Sequence, residues 1–274
     1  MRSLFLVTFA VLGTVDPAAA APATWPAAVA IAGASTSERT RQRKAPRVQQ
    51  ARAQTEANSR KLFAEHGVRY PADVVYLRGF KHEGQLELWI GNKEGTLVRL
   101  RTYEVCAPSG GPGPKRRQGD LQVPEGAYRV DRFNPWSAFH LSIGIDYPNA
   151  SDRILGRRGN LGGDIFIHGD CVTLGCLPIQ DEHIKELYVI ALDSYLAGRP
   201  IAVHIFPRRL DDEGMEALRA TVDEDSGLLP FWESLRPLYD AFEKERRVPM
   251  VSVDPKTGAY RGSGRRRPGG SARP

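Results

Sequence analysis

The sequence predicts a mostly β domain of the α+β class, with one internal helix and a helical region after it. Short runs of alternating apolar and polar residues recur between residues 74 and 205, and few helical patterns separate them. One helical pattern starts at residue 181 and another covers residues 231–242. Many short strands with few helices between them favour a mostly β domain.

The first three strand patterns predict a β-meander. They cover residues 74–77, 86–90 and 97–103, and Glu83 and Gly84 supply a turn signal between the first two. Residues 109–126 are too rich in Gly and Pro for a regular element. Four further strand patterns follow, at residues 127–130, 140–145, 164–168 and 201–205.

The internal helix has clear start and stop signals. Asp181 is a residue type favoured at the N-cap, and Gly198 with Pro200 ends an apolar helical pattern that reaches Leu196. In the later region, aromatic and apolar residues recur at helical spacing, and Pro237 predicts a kink or a split. We therefore expect a helical appendage packed on the β body.

Positive charge is concentrated at the two ends of the chain. The 274 residues include 38 Lys+Arg and 32 Asp+Glu, a formal net charge of +6. Residues 1–60 carry +5 and residues 256–274 carry +6, which leaves −5 for the body between them. A mildly acidic body argues against a nucleic-acid partner.

The terminal segments predict export and disorder. Residues 1–21 combine Arg2, an apolar run and four consecutive alanines, which is typical of a signal peptide, and the run is too short to span a membrane. We expect a periplasmic protein of a Gram-negative bacterium, with no transmembrane segment after cleavage. Residues 22–60 and 256–274 are rich in Arg and poor in aromatic residues, so they predict a disordered basic linker and a disordered basic tail.

Residues 165–179 contain the candidate chemistry. They read IFIHGDCVTLGCLPI, so His168 ends a strand pattern and Cys176 follows eight residues later. A cysteine nucleophile must lose its proton, and an imidazole or backbone N–H groups can promote this. Gly175 leaves the neighbouring amides open to serve as an oxyanion hole. From the residues alone, a Cys-His enzyme and a merely packed Cys and His remain alternatives.

This stretch resembles the catalytic motif of the L,D-transpeptidases, the YkuD-type cysteine enzymes of bacterial cell walls, and most closely their YafK-like branch. The family motif is His-Gly, a short loop and Ser/Thr-x-Gly-Cys, which here corresponds to His168-Gly169 and Thr173-Leu174-Gly175-Cys176. Similarity extends over about residues 73–253. It implies a YkuD-like β-sandwich or partly closed β domain at residues 61–206, with a helical extension at residues 207–255 packed on it.

The resemblance also implies roles for individual residues and no cofactor. Cys176 would attack the amide carbonyl of meso-diaminopimelate in a peptidoglycan stem peptide and form a thioester. His168 would take the thiol proton and later activate the acceptor. Gly169 and Thr173 would shape the site, and the backbone around Gly175 and Cys176 would hold the oxyanion.

Two departures from the family pattern affect substrate binding. Most members carry His where this chain has Leu174, and Arg or Asn where it has Pro178. The second departure removes the residue that usually anchors the substrate. The candidates that could supply substrate binding instead are Lys115, Arg116 and Arg117, together with His140, for which a structural role is the alternative.

Several alternatives stay open at this stage. An amine acceptor would make the protein a transpeptidase, whereas water would make it a hydrolase that releases a lipoprotein from diaminopimelate, as in YafK-like relatives. A non-catalytic wall-binding module and a zinc amidase are further alternatives. Cys106 and Cys171 could form a disulfide or stay reduced.

Overall fold

The computed structural model describes residues 24–25, 35–223 and 226–263. Its strands are β1 (Thr24–Trp25), β2 (Val74–Phe80), β3 (Gln85–Gly91), β4 (Val98–Glu104), β5 (Gly126–Asn134), β6 (Ser142–Ile145), β7 (Phe166–His168), β8 (Leu177–Pro178), β9 (Ile201–Phe206), β10 (Met250–Val253) and β11 (Tyr260–Ser263). Its helices are α1 (Thr36–Lys44), α2 (Pro46–Glu65), α3 (Ala150–Leu155), α4 (Asp181–Leu196), α5 (Asp212–Thr221) and α6 (Leu228–Glu245).

Eight strands form one curled mixed sheet in the order β4-β3-β2-β9-β5-β6-β7-β8. The meander β2-β3-β4 is antiparallel, whereas β9 returns after α4 to pair in parallel with β2. A small second sheet contains β1, β10 and β11. The prediction of an α+β domain with a helix after Cys176 and helices after β9 is confirmed, and α3 is a further short helix inside the domain.

Successive side chains along the central strands point to opposite faces of the sheet, and both faces are apolar. Helices cover both of them. On one face, Leu77, Leu88 and Val203 are fully buried in a core that includes α4 and α2. On the other face, Phe80 and Phe206 pack with the apolar side of α6. The helical appendage is therefore part of the same packed body.

Helix α6 runs unbroken from Leu228 to Glu245 with Pro237 inside it, so the predicted split does not occur. Leu235 and Leu238, on either side of the proline, are both fully buried against the sheet. The missing proline N–H removes one hydrogen bond. Packing on both sides of Pro237 holds the two halves in one helix.

The prediction of a disordered linker at residues 22–60 is wrong for residues 36–60, which lie in α1 and α2. Helix α2 packs along α4 and buries Val48, Ala51 and Phe63. Arg52 adds an ion pair with Asp193 of α4 at 2.6 Å. The prediction of disorder rested on the low aromatic content of this segment. A helix that packs on another helix needs only a few small or apolar contacts, so low aromatic content does not exclude it.

The predicted disordered tail also begins too early. Strand β11 lies within the segment assigned to the tail and pairs with β10. The Tyr260 side chain is buried and its hydroxyl accepts a hydrogen bond from Asn149 at 2.7 Å. The remainder of the predicted tail, residues 264–274, and the predicted signal peptide lie outside the described residues.

Across the residues that the structure describes, no helix combines the length and the apolar character needed to cross a membrane.

Candidate active site

The candidate nucleophile lies at the edge of the large sheet. Cys176 immediately precedes β8, which pairs in parallel with β7 through Ile167 and Leu177. Extending this register by one residue places Cys176 beside Phe166. Side chains two residues apart on a strand share a face, so the thiol and the His168 ring project from the same side of the sheet.

The Cys176 thiol is half-buried and contacts the backbone that leads into β7. The Phe166 N–H donates a hydrogen bond to Sγ at 3.4 Å, and Sγ donates to the Asp164 carbonyl oxygen at 3.6 Å. Burial raises the pKa of the thiol and the Asp164 charge raises it further, while the Phe166 N–H and the charges of Lys115 and Arg132 lower it. Because the net effect is a raised pKa, the resting group is a thiol that needs a base.

The candidate base, His168, is buried at the end of β7. Its Nδ1 lies 2.6 Å from the carbonyl oxygen of Gly169, so Nδ1 carries the proton and donates it to that carbonyl. Burial lowers the pKa of His168, although the Gly169 carbonyl and the Asp170 charge act against this. The ring of Phe139 packs against the imidazole at 4.7 Å. The ring is thus fixed as a neutral imidazole with its lone pair on Nε2.

The nucleophile loop, residues 169–175, holds its shape through side chains that bind backbone groups. The Thr173 hydroxyl accepts a hydrogen bond from Cys176 N–H at 2.8 Å and donates one to the Cys176 carbonyl at 2.9 Å. Asp181, predicted as an N-cap, is instead the first residue of α4 after the N-cap Gln180. Its Oδ1 accepts from Asp170 N–H at 2.8 Å.

Two glycines of the motif are required by space. A Cβ at Gly169 would lie 2.5 Å from Asp181 Oδ1 and 2.9 Å from the Phe139 carbonyl oxygen. Gly175 has a φ of +107°, and a Cβ there would lie 2.9 Å from the Gln122 carbonyl oxygen. Side chains at these positions would displace the loop that carries the thiol.

Cys106 and Cys171 form a disulfide with a Cα–Cα distance of 5.6 Å. It joins the segment after β4 to the middle of the nucleophile loop and leaves Cys176 as the free cysteine among the described residues. The loop is therefore tied to α4 at one point and to the β4 side of the domain at another.

The predicted oxyanion donors are only partly available. The N–H of Cys176 is already bound by the Thr173 hydroxyl, which corrects the expectation that it faces a substrate. The described residues supply no hydrogen-bond partner for the N–H of Gly175. The Thr173 hydroxyl therefore occupies one of the two backbone N–H groups assigned to the oxyanion.

Most of the predicted basic substrate-binding group is used inside the protein. We call residues 115–120 the basic loop. Lys115 is buried and its Nζ lies 2.8 Å from Asp120, and Arg116 pairs with the buried Asp152 at 3.2 Å. Arg117 is exposed, and the described residues supply no partner for its guanidinium. The internal ion pairs argue against the substrate-binding role predicted for Lys115 and Arg116.

His140 lies next to the nucleophile loop. Its Cβ would be 3.0 Å from a Cβ built on Gly169, and its Nδ1 is 3.8 Å from Asp181. Burial lowers the pKa of His140, and its carbonyl oxygen accepts a hydrogen bond from Arg47 of α2 at 2.7 Å. These contacts support a structural role beside the site.

The structure also adds residues that the motif did not indicate, namely Arg132, Phe139, Asp164 and Phe166. Asp164 and Phe166 contact the sulfur through the backbone, which gives no sequence signal. Arg132 comes from β5, and only the pairing of the strands brings it to the site.

A cavity of about 300 Å³ opens nearby and is lined by Leu177, Lys81, Trp232 and residues 107–112. Neither Cys176 nor His168 lines this cavity. The described residues contain no group of three or more His, Cys, Asp or Glu side chains arranged to hold a metal ion.

Comparison with known proteins now adds to this geometry. Residues 81–203 match the model of the YkuD family, described as the L,D-transpeptidase catalytic domain. The chain is 39% identical over 182 residues to YafK of Escherichia coli K12, whose name places it among the L,D-transpeptidases. The match covers 65% of this chain and 70% of YafK, and the YafK sequence of strain O157:H7 gives the same values.

The chain belongs to the L,D-transpeptidase family. Among solved structures, Pgp2 of Campylobacter jejuni, a helical cell shape determining protein, is 16% identical over 71% of this chain and 82% of that chain, with a TM-score of 0.42. For its K307A mutant the identity is 18%, over 67% of this chain and 64% of that one, with a TM-score of 0.41. In that second comparison the chain spans slightly less than two thirds of the solved structure.

Proposed function

We propose that this L,D-transpeptidase family member is a periplasmic cysteine acyltransferase that acts on peptidoglycan. It would attack the amide carbonyl of meso-diaminopimelate in a stem peptide through Cys176 and transfer the acyl group to an amine. The observation that carries the proposal is that a half-buried free thiol and a buried imidazole, whose tautomer is fixed by Gly169, project from one face of adjacent strands.

The first chemical step starts from a neutral pair. Because burial raises the pKa of Cys176 and lowers that of His168, the proton rests on sulfur until substrate binds. His168 Nε2 then accepts the thiol proton while Sγ bonds to the amide carbon. The resulting imidazolium returns the proton to the leaving amine, the C–N bond breaks, and a thioester remains on Cys176.

The second step reverses the proton path. His168 takes a proton from the incoming amine as its nitrogen attacks the thioester, and the sulfur leaves and is reprotonated. In both steps the carbonyl oxygen gains negative charge. The Gly175 N–H is the donor that we assign to it, because the Cys176 N–H is held by Thr173.

Hydrolysis is the second candidate function. The thioester is common to both routes. In the hydrolase, the lipoprotein amine would be the group that leaves as the thioester forms, and water in place of the acceptor amine would then release the stem peptide from Cys176. The similarity to YafK supports keeping this route, since the YafK-like branch is the one that the motif resembles most. Transferase and hydrolase differ only in the second nucleophile.

Products formed on intact peptidoglycan test the proposal and separate the two routes. The purified protein is incubated with sacculi that carry an attached lipoprotein and with sacculi that lack it, and the products are identified by mass. New cross-links at diaminopimelate would support the transferase, and released lipoprotein would support the hydrolase. Muropeptide binding without any acylation of Cys176 would instead indicate a wall-binding module. Activity that a chelator abolishes and a thiol alkylator does not would indicate a zinc amidase.

A further inference from the structure

The side chain of Arg132 extends toward Cys176 along a row of residues that pair across neighbouring strands. Arg132 on β5 pairs with Gly144 on β6, and Gly144 pairs with Phe166 on β7. The register of β7 and β8 extends the same row to Cys176. Residues in such a row project from the same face of the sheet. The side chains of Arg132, Phe166 and Cys176 therefore share one surface.

Gly144 gives the arginine its path across this row. A Cβ at Gly144 would lie 2.6 Å from Cγ of Arg132, so the side chain of Arg132 crosses directly above the glycine. Its guanidinium then lies 4.5 Å from the centre of the Phe166 ring. Neighbouring strands are about 4.8 Å apart. The positive charge thus lies over the side chain of the strand next to the nucleophile, and it lowers the pKa of Cys176.

The Arg132 guanidinium has N–H groups that are not used in hydrogen bonds to the described residues. Nη1 donates to both carboxylate oxygens of Asp131, at 2.8 and 2.7 Å, and Nη2 donates one hydrogen bond to Asp164 at 3.2 Å. An arginine has five N–H donors. Within the described part of the chain, the Nε–H and one Nη2–H of Arg132 have no partner, and 36% of the side chain is exposed.

Asp164 places a negative charge beside this cation. Its side chain is 89% exposed, and its own carbonyl oxygen accepts the hydrogen bond from the Cys176 thiol. A guanidinium and an exposed carboxylate side by side complement a group that carries both a carboxylate and an ammonium. The side chain of meso-diaminopimelate ends in such a zwitterion, a few methylene groups away from the carbonyl that Cys176 would attack.

We propose that Arg132 and Asp164 form the subsite for the zwitterionic end of the diaminopimelate side chain, Arg132 binding its carboxylate and Asp164 its ammonium group. This inference rests on the proposed function. It replaces the predicted role of Lys115 and Arg116, whose charges are paired inside the protein. A bidentate arginine would select diaminopimelate over lysine, which offers an ammonium group but no carboxylate at that end.

The test compares three acyl donors on the full-length protein. These are stem tetrapeptides that contain meso-diaminopimelate, lysine, or diaminopimelate with an amidated side-chain carboxylate, and the readout is the rate of Cys176 thioester formation by intact mass. Wild-type protein should prefer the first donor over both others. R132Q should raise KM for the diaminopimelate donor roughly tenfold to a hundredfold. The other two donors should be slowed only by a much smaller common factor, because the Arg132 charge also lowers the pKa of Cys176.

Three further variants make the test specific. R129Q is the matched control, since Arg129 lies on the same strand with a similar exposure and an ion pair to Asp146, and it should keep the wild-type preference. R132K keeps the charge without the planar fork and should lose most of the preference. D164N should weaken binding of the diaminopimelate donor by a smaller factor, and asparagine tolerates the positive φ of 54° at this position.

The competing explanation is that Arg132 stabilises the thiolate form of Cys176 and does not bind the substrate. In that case R132Q would slow all three donors equally and would slow alkylation of Cys176 by iodoacetamide to the same extent, and this result would overturn the subsite. An unchanged preference in R132Q would overturn it as well. If the wild-type protein is acylated by none of the three donors, the proposed function fails first, before any variant is compared.

Discussion

The nucleophile loop and the basic loop differ in whether their candidate functional group has a side-chain partner. In the nucleophile loop, the Thr173 hydroxyl and the Asp181 carboxylate bind backbone N–H groups, which leaves the Cys176 thiol to backbone contacts alone. In the basic loop, Lys115 is paired with the carboxylate of Asp120. Carboxylates bind backbone N–H groups in both loops, but the Lys115 ammonium group is held in an ion pair, whereas the Cys176 thiol has no side-chain partner among the described residues.

The same difference explains the electrostatics of the two loops. Burial acts to raise the pKa of Asp120, but its hydrogen bonds with Lys115 and with three backbone N–H groups lower it overall. The Cys176 thiol has no such set of donors, and its pKa is raised. The basic loop therefore keeps a stable charge, and the nucleophile loop keeps a proton that can be moved.

The largest expected effect is at the nucleophile. Cys176→Ala should abolish thioester formation and turnover, because no other free thiol lies among the described residues. The melting temperature should change little, since a half-buried thiol contributes only weak hydrogen bonds. Intact mass after incubation with a diaminopimelate peptide measures the thioester, and turnover that survives in this variant would refute the mechanism.

The next largest effect is at the base. His168→Gln should slow acylation by roughly a hundredfold to ten-thousandfold, because the group that accepts the thiol proton is lost. Pre-steady-state acylation, followed by mass, measures this rate. A normal rate in the variant would mean that the base is another residue.

The pH profile provides the control for His168. Its imidazole acts only when neutral, and burial lowers its pKa below the ordinary value of 6.5. In wild-type protein, kcat/KM should therefore fall on acidification only below pH 6.5, and this acid limb should disappear in the glutamine variant. An acid limb that persists there would belong to a different group.

A smaller effect is expected at Thr173. Thr173→Val keeps the shape but loses both hydrogen bonds to Cys176, so acylation should fall about tenfold and stability by about 1–3 kcal/mol. Thr173→Ser retains the hydroxyl and is the matched control. Equal losses in the two variants would show that the hydroxyl does not orient the nucleophile.

Substitutions in the basic loop should lower the unfolding free energy and have little effect on catalysis. Lys115→Met leaves the Asp120 carboxylate without its ion-pair partner, so unfolding free energy should fall by about 1–3 kcal/mol. Arg117→Gln, at an exposed position of the same loop, should change neither stability nor KM. Urea titration and steady-state kinetics measure both quantities. A large rise in KM for Arg117→Gln would show that this loop does bind the substrate.

Sequence patterns located most of the sheet. Period-two alternation predicted the strands at residues 86–90 and 97–103, and short β-prone runs predicted those at residues 74–77 and 201–205. The His-Gly and Thr-x-Gly-Cys motif identified the elements around the thiol. Helices α1 and α2 were missed because their contacts with α4 are made by few apolar residues, although their Ala, Arg and Gln content favours helix.

What the sequence determined by itself is local: the strand periods, the helix that follows the nucleophile, and the glycines at positions 169 and 175 that only a residue without a side chain can occupy. The tertiary structure decided which charged groups are available. The charge of Lys115 lowers the pKa of Cys176, but its ammonium group is paired with Asp120. Arg132, which is distant from Cys176 in the sequence, reaches the site across Gly144. The physical reason is that a side chain's free hydrogen-bonding capacity depends on its neighbours in space, and strand register sets those neighbours.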